Sequence, residues 1–199
     1  CIINAKAYLL EERTEKIAQA FYNDTYSFDQ NACTAPHLIN WFGTKDEVER
    51  AKSIFWAELH KIVVQRYGKV QPVIAVDKLT ALYNSAAKAV GVRQTPPADN
   101  LLWRIEIENL TVDLDEYRCS SGYFMEYHAN SFAELTTIIN RKYQTVAYYG
   151  FTQNELEEFV RNENLSGIDR IVPIGQTTDF SVIWDGFDLI RTLSRCCVV

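Results

Sequence analysis

Short segments rich in β-branched and aromatic residues alternate along this chain with longer stretches of helical periodicity. That alternation restricts the fold to a sheet flanked by helices. The β-forming segments are Leu38–Phe42, Pro72–Val76, Leu101–Leu110, Tyr123–His128, Thr145–Tyr149 and Arg170–Ile174. Within the third, Trp103, Ile105 and Ile107 alternate with Arg104, Glu106 and Glu108, which predicts a strand with one wet face. Three helix starts carry a capping box, in which hydroxyl and carboxylate satisfy orphan amides reciprocally: Thr44-Lys-Asp-Glu47, Ser131-Phe-Ala-Glu134 and Thr152-Gln-Asn-Glu155. The first opens a helix through Val48, Ala51, Phe55, Leu59 and Ile62 that Gly68 stops. The second runs through Leu135, Ile138 and Ile139, and the third carries Leu156, Phe159 and Val160 towards Gly167. A fourth helix is predicted from Asp77 as cap, with Leu79, Leu82, Tyr83, Ala86 and Val90 before Gly91, and a fifth from about Ala5 to Tyr22 with Leu10, Ile17 and Phe21. The expectation is an α/β fold with a largely parallel sheet flanked by helices. Gly91–Asn100 is polar and contains Pro, but it is short enough for a surface loop, so residues 1–199 are read as one domain.

The chain has 199 residues, enough to bury a core without disulfide or metal staples. Its formal net charge of −6 argues against a nucleic-acid partner, whose phosphates need a basic face. No apolar run approaches the length of a membrane span. The N-terminus shows neither an initiator Met nor a signal sequence and reads as a piece of a longer protein. Cys1, Cys33, Cys119, Cys196 and Cys197 are odd in number, and two are adjacent, which points to free thiols in a reducing, cytoplasmic compartment.

One cysteine sits where chemistry is expected. Polar residues precede Cys33 and a proline follows it, which places its thiol in a loop leading into a strand. Backbone amides of such a loop can stabilise a thiolate and a developing oxyanion, although the same residue also fits a small buried hydrophobe. Asp29-Gln-Asn-Ala-Cys33-Thr-Ala-Pro36, together with Gly167-Ile-Asp-Arg-Ile-Val-Pro-Ile-Gly-Gln176, Trp184-Asp-Gly186 and Leu193-Ser-Arg195, resembles the acyl-CoA reductase family. That family, which includes the fatty acid reductase of bacterial bioluminescence, belongs to the aldehyde dehydrogenase superfamily. The resemblance runs from about residue 20 to the end. It implies an aldehyde-dehydrogenase-like catalytic domain in which the Cys33 thiolate attacks a long-chain fatty acyl thioester. NADPH would then reduce the acyl-enzyme to an aldehyde. The family keeps its cofactor-binding half upstream of the nucleophile, and only 32 residues precede Cys33 here. The resemblance therefore implies the C-terminal, cysteine-bearing portion, with NADPH held mainly elsewhere, a homo-oligomer in the full-length protein, and acyl-transferring partner enzymes. Gln30 and Asn31 are expected to shape the loop, and the amide of Cys33 to donate to the oxyanion.

The other candidates are weaker. The eight glycines form no G-x-G-x-x-G run, and Glu116 and Glu126 lie where a ribose-gripping glutamate is expected without matching it securely. His37 follows Cys33 by four residues, but a structural zinc needs four ligands and no second pair appears, so no metal is expected. His60 reads as a packed or surface residue. His128 ends a strand and, were it to meet Cys33, would make a cofactor-independent acyltransferase or thioesterase. Cys119 has no evident activating partner, and Asp113, Asp115 and Glu116 read as a solvated turn. Trp41, Trp56, Trp103 and Trp184 fit either an acyl tunnel or the core. A non-catalytic oligomerisation module, with Cys33 merely buried, is the third reading of the chain.

Overall fold

The computed structural model describes residues 1–88, 91–95, 97–163, 165 and 167–195. In chain order its elements are β1 (Ile2–Asn4), α1 (Ala5–Leu9), α2 (Thr14–Thr25), β2 (Leu38–Phe42), α3 (Lys45–Arg66), α4 (Pro72–Lys88), β3 (Arg93–Thr95), β4 (Trp103–Glu106), β5 (Tyr123–Ala129), β6 (Thr145–Tyr149), α5 (Gln153–Asn162), β7 (Arg170–Pro173), β8 (Ile183–Trp184), β9 (Phe187–Asp188) and α6 (Leu189–Leu193). Seven strands form one sheet in the order β3-β4-β5-β2-β1-β6-β7, and β8 and β9 form a separate hairpin. All neighbours in the large sheet are parallel except β3 and β4. No helix of the described residues is long and apolar enough to cross a membrane.

Strand alternation sorts the side chains onto two faces. Ile39 and Trp41 of β2, Ile3 of β1 and Phe124 of β5 meet Tyr8, Phe21, Phe55, Trp56 and Leu59 from α1, α2 and α3. Their rings pack mainly edge to face, with Phe21 and Phe55 at 5.1 Å and Trp41 and Phe55 at 5.6 Å between centroids. On the opposite face Leu38, Ile105 and Met125 lie under α4 and the 3₁₀ turn Leu114–Tyr117, while Ile2 lies under the 3₁₀ turn Phe132–Thr137 and α5.

The first face also holds a charge. Glu126 of β5 is buried and accepts hydrogen bonds from the indoles of Trp41 (3.0 Å) and Trp56 (2.8 Å) and from Arg104 Nε (2.7 Å). Lys52 of α3 lies 4.0 Å from the same carboxylate and 2.8 Å from Glu106. Of the alternating charges predicted for a wet face, Arg104 is thus largely covered and paired with Glu126, Glu106 is partly exposed beside Lys52, and Glu108, just beyond β4, stays exposed.

Several segments depart from the sequence reading. Pro72–Val76 is the first turn of α4, because Pro at the start of a helix gives up an amide that would be unpaired anyway. The helix of Asp77 therefore begins five residues earlier, and Val90 lies outside the described residues. The stretch from Ala5 to Tyr22 is two helices, α1 and α2. Thr44 and Thr152 form complete capping boxes, but Ser131 makes no cap hydrogen bond. Glu134 instead accepts from Tyr127 Oη (2.8 Å) and the Asn130 amide (3.2 Å), and the segment is a 3₁₀ turn. Leu101–Leu110 shortens to β4, and Gly91–Asn100 includes edge strand β3, antiparallel to it.

Removing the Glu126 carboxylate strands Arg104 and two indole N–H groups in the interior. Glu126→Leu is expected to lower the unfolding free energy by about 3–5 kcal/mol in denaturant titration. A loss below about 1 kcal/mol would assign this face to ring packing alone.

Candidate functional site

α2 ends in a 3₁₀ turn, Tyr26–Phe28, and the chain then enters the left-handed region at two successive residues, Asp29 (φ 52) and Gln30 (φ 61). Across from them the turn before β5 does the same at Ser121 (φ 58) and Gly122 (φ 87). A Cβ on Gly122 would collide with Leu101 O and Tyr26 Oη, so glycine is needed there twice over. The fully buried carboxamide of Gln30 joins the two turns. Its Oε1 accepts from the amides of Gly122 (2.9 Å) and Tyr123 (3.1 Å), and its Nε2 donates to the carbonyls of Tyr123 (2.9 Å) and Pro36 (3.1 Å). The Ser121 amide donates to Asp29 O (2.9 Å), and Tyr67 Oη donates to Asp29 Oδ1 (2.6 Å). The loop that carries Cys33 is therefore fixed at both ends, at Gln30 and at Pro36.

Between those ends Cys33 is exposed. Ala32 O accepts from the Ala35 amide (2.9 Å), while the N–H groups of Ala32, Cys33 and Thr34 have no acceptor among the described residues. The thiol lies at the edge of a cavity of about 110 Å³. Leu38, Met125, Ile2 and Val146 form its sheet side, and Leu135, Ile138, Ile139 and Phe159 its opposite wall. Its polar lining includes His37, Asn40, Asp115, Arg118, Lys142 and Tyr143. Asp115 and Lys142 pair at 2.6 Å.

Burial decides the state of the titratable groups here. His37 donates from Nδ1 to Cys119 O (3.1 Å), because a carbonyl only accepts, and Nε2 keeps its lone pair. Desolvation and the nearby Arg118 charge lower its pKa to about 4, so the ring is neutral near pH 7. Burial raises the Cys119 thiol, and burial together with Asp115 pushes Tyr143 up to about 12. Cys119 thus stays protonated where Cys33 is open to solvent, and the buried-thiol reading of Cys33 does not hold in this structure.

The remaining candidates lie elsewhere. His128 pairs in register with Trp41, at the end of β2 away from Cys33, and its Nε2 meets Gly43 O at 2.8 Å. The structure does not bring it to Cys33. His60 binds Asp99 at 2.8 Å, joining α3 to the loop before β4. Glu126 is engaged by two indoles and Arg104, and Glu116 is exposed on a 3₁₀ turn. Among the described residues no group of three or more His, Cys, Asp or Glu side chains is placed to hold a metal ion. Trp41, Trp56 and Trp103 are buried in the core, and Trp184 packs on the Arg170 guanidinium at 4.3 Å. Cys196 and Cys197 lie outside the described residues.

The segment after β7 is tied to the end of α2. Arg170 Nη2 donates to the carbonyls of Gln176 (3.2 Å) and Thr177 (3.3 Å), and Asp24 of α2 accepts from the amides of Gly175 (2.6 Å) and Thr177 (3.2 Å). Asp24, Asn40, Arg118 and the cavity position of His37 were not legible as site features. Each depends on partners from distant strands and turns.

Two outcomes follow from this geometry. Gln30→Ala leaves four backbone groups without partners, and is expected to cost about 2–5 kcal/mol in denaturant unfolding and to slow alkylation of Cys33 in its native loop. A loss under 0.5 kcal/mol, on the order of an ordinary surface change, would remove Gln30 as the clamp. For His37, the unfolded imidazole takes a proton near pH 6.5 and the folded one only near pH 4. The unfolded state therefore binds the extra proton between those values, and stability is lost as the pH falls through them, by at most about 3 kcal/mol. His37→Gln should flatten that part of the stability–pH profile, and an unchanged slope would contradict the assignment.

Comparison with known proteins agrees with this architecture. A family model described as acyl-CoA reductase (LuxC) matches residues 1–196. Among curated proteins no match was found. Among solved structures, the Delta-pyrroline-5-carboxylate dehydrogenase of Mycobacterium tuberculosis is similar with a TM-score of 0.57 at 9% identity, over 86% of this chain and 34% of its own. A 1-pyrroline-5-carboxylate dehydrogenase variant from Thermus thermophilus gives 0.53 at 12% identity, over 87% and 35%. The chain thus spans about a third of the length of the dehydrogenases it matches, and at these identities the similarity carries the fold. The sheet resembles that of these dehydrogenases, and the chain belongs to the acyl-CoA reductase (LuxC) family.

Proposed function

We propose that this chain is the cysteine-bearing catalytic domain of a reductase that converts long-chain fatty acyl thioesters to aldehydes, with Cys33 as the nucleophile and NADPH as the reductant. The observation that carries the reading is the exposed thiol at the edge of an apolar cavity, on a loop locked by Gln30. The Cys33 thiolate attacks the thioester carbonyl. The electron pair moves onto oxygen, and the acceptor-free amides of Ala32, Cys33 and Thr34 are available to receive that charge. Collapse expels the carrier thiolate and leaves the acyl group on Cys33. Because the loop is already fixed, those amides need no reorganisation when charge develops.

NADPH, when bound, supplies the hydride of the reductive half-reaction. The chemistry assigned here to this chain's own residues is formation of the acyl-enzyme. An exposed nucleophilic thiol is consistent with a reducing, cytoplasmic compartment. The exposed side chains of Phe180, Ile183, Phe187, Ile190 and Leu193 support association with another surface, whether a second subunit or an acyl-donating enzyme.

Incubation of the complete natural chain with tetradecanoyl-CoA is expected to add one acyl mass that maps to the Cys33 peptide and is released by hydroxylamine. Cys33→Ala should abolish the adduct and lower aldehyde formation by at least a few orders of magnitude, as removal of a covalent nucleophile does. An adduct that persists in Cys33→Ala, or maps to Cys119, would move the nucleophile elsewhere.

A further inference from the structure

The cavity beside Cys33 has two unlike ends. Its charged lining groups, Arg118 and the Asp115–Lys142 pair, lie at the Cys33 end. Arg118 precedes β5, Lys142 precedes β6 and the Cys33 loop precedes β2, and these strands run parallel. Register orders what lies beyond. Leu38 pairs with Met125 at the first level of the sheet side, and Ile2 pairs with Asn40 at the next, about 7 Å further on at strand rise. A third level holds Phe42, opposite Ala129. Rings close the space there: Phe132 lies 4.9 Å from Phe42, 5.1 Å from Phe151 and 4.6 Å from Phe159, between centroids. Of these four rings only that of Phe159 belongs to a residue lining the cavity. Phe159 is 3% exposed, is the largest apolar residue of the lining, and is the one residue that α5 contributes to it. The cavity therefore stops at Phe159, which rests on Phe132 behind it.

We propose that Phe159 limits the length of the acyl group that the site accepts: the hydrocarbon runs inward from Cys33 past Leu38, Met125 and Ile2, and its terminal methyl meets the Phe159 ring. This rests on the reading of Cys33 as the thioester-forming nucleophile. The two ends of the cavity decide which part of the substrate enters. The wall of Leu135, Ile138 and Ile139 favours hydrocarbon, whereas the charged groups stand at the end where the carrier departs. The free space is about 110 Å³. A cavity of about 150 Å³ holds one benzene molecule, so the ring of Phe159 fills about as much room as the acyl group is given. A change at this one residue therefore alters the accepted length more than the same change along the side walls.

The test is single-turnover acylation of the complete natural protein by saturated acyl-CoAs from butanoyl to octadecanoyl, followed by intact mass. The rate is expected to rise with acyl length up to a limit and to gain nothing beyond it. In Phe159→Ala the limit should move to acyl groups longer by about two to four carbons. A substrate about two carbons past the natural limit should then gain roughly tenfold over the one at the limit, the value of two methylenes taken out of water. Phe159→Leu, which keeps more of the packing, should move the limit in the same direction by less. Leu156→Ala opens a void under the same helix, but Leu156 does not line the cavity, and the limit should stay where the natural protein has it. Three results would overturn the proposal: no limit within the series in the natural protein, a limit unmoved in both Phe159 variants, or a limit moved as far by Leu156→Ala. Failure of every thioester to acylate the natural protein would overturn the nucleophile assignment itself, and is distinguished by the absence of any adduct.

Discussion

A single carboxamide holds the reactive loop in place. Gln30 spends both ends of its side chain on backbone groups, two amides and two carbonyls, drawn from the turn before β5 and from Pro36. Asp29, Gln30 and Ser121 all have positive φ without being glycine, a conformation that costs of order 1–3 kcal/mol at each residue and persists only where surrounding contacts over-determine it. Here the contacts do so. The Ser121 amide holds Asp29 O, Tyr67 holds the Asp29 carboxylate, and the interior around Tyr26 and Gly122 leaves no room for a Cβ. The positive-φ residues flank the loop that presents Cys33 to solvent, with the neighbouring amides unpaired among the described residues.

The rest of the sheet is built so that this clamp has something rigid to hold. β5 begins at Tyr123, on the clamp, and three residues later delivers Glu126 to the indoles of Trp41 and Trp56 and to Arg104. One strand thus joins the reactive loop to the charged centre of the opposite face.

Local chemistry made part of this readable and long-range geometry hid the rest. The capping boxes at Thr44 and Thr152 involve residues three apart, and both form. The same pattern at Ser131 fails because Tyr127, from the preceding strand, claims the Glu134 carboxylate. Alternation in β4 correctly separated the two faces, but polarity alone suggested water where α3 supplies Lys52 and β5 supplies Glu126. Strands of three residues, such as β1 and β3, are too short for any periodicity to mark. Cys33 stood out from its loop sequence. The role of Gln30 depends on backbone groups 92 and 93 residues away.

The charges around the cavity are divided in a way that matches a thioester. Along its lining, burial keeps His37 neutral and the Tyr143 hydroxyl protonated. Outside, Arg118 and the Asp115–Lys142 pair remain in contact with water. A fatty acyl thioester is divided in the same sense, with a neutral chain on one side of the reacting carbonyl and a phosphorylated carrier on the other. Cys33 stands on the boundary between the two regions. Moving it inward would bury a thiolate at a cost that raises its pKa, as burial does to Cys119, and moving it outward would leave the acyl chain in water. For the proposed acyl transfer these two solvation effects oppose each other, and Gln30 fixes the loop that carries the thiol between them.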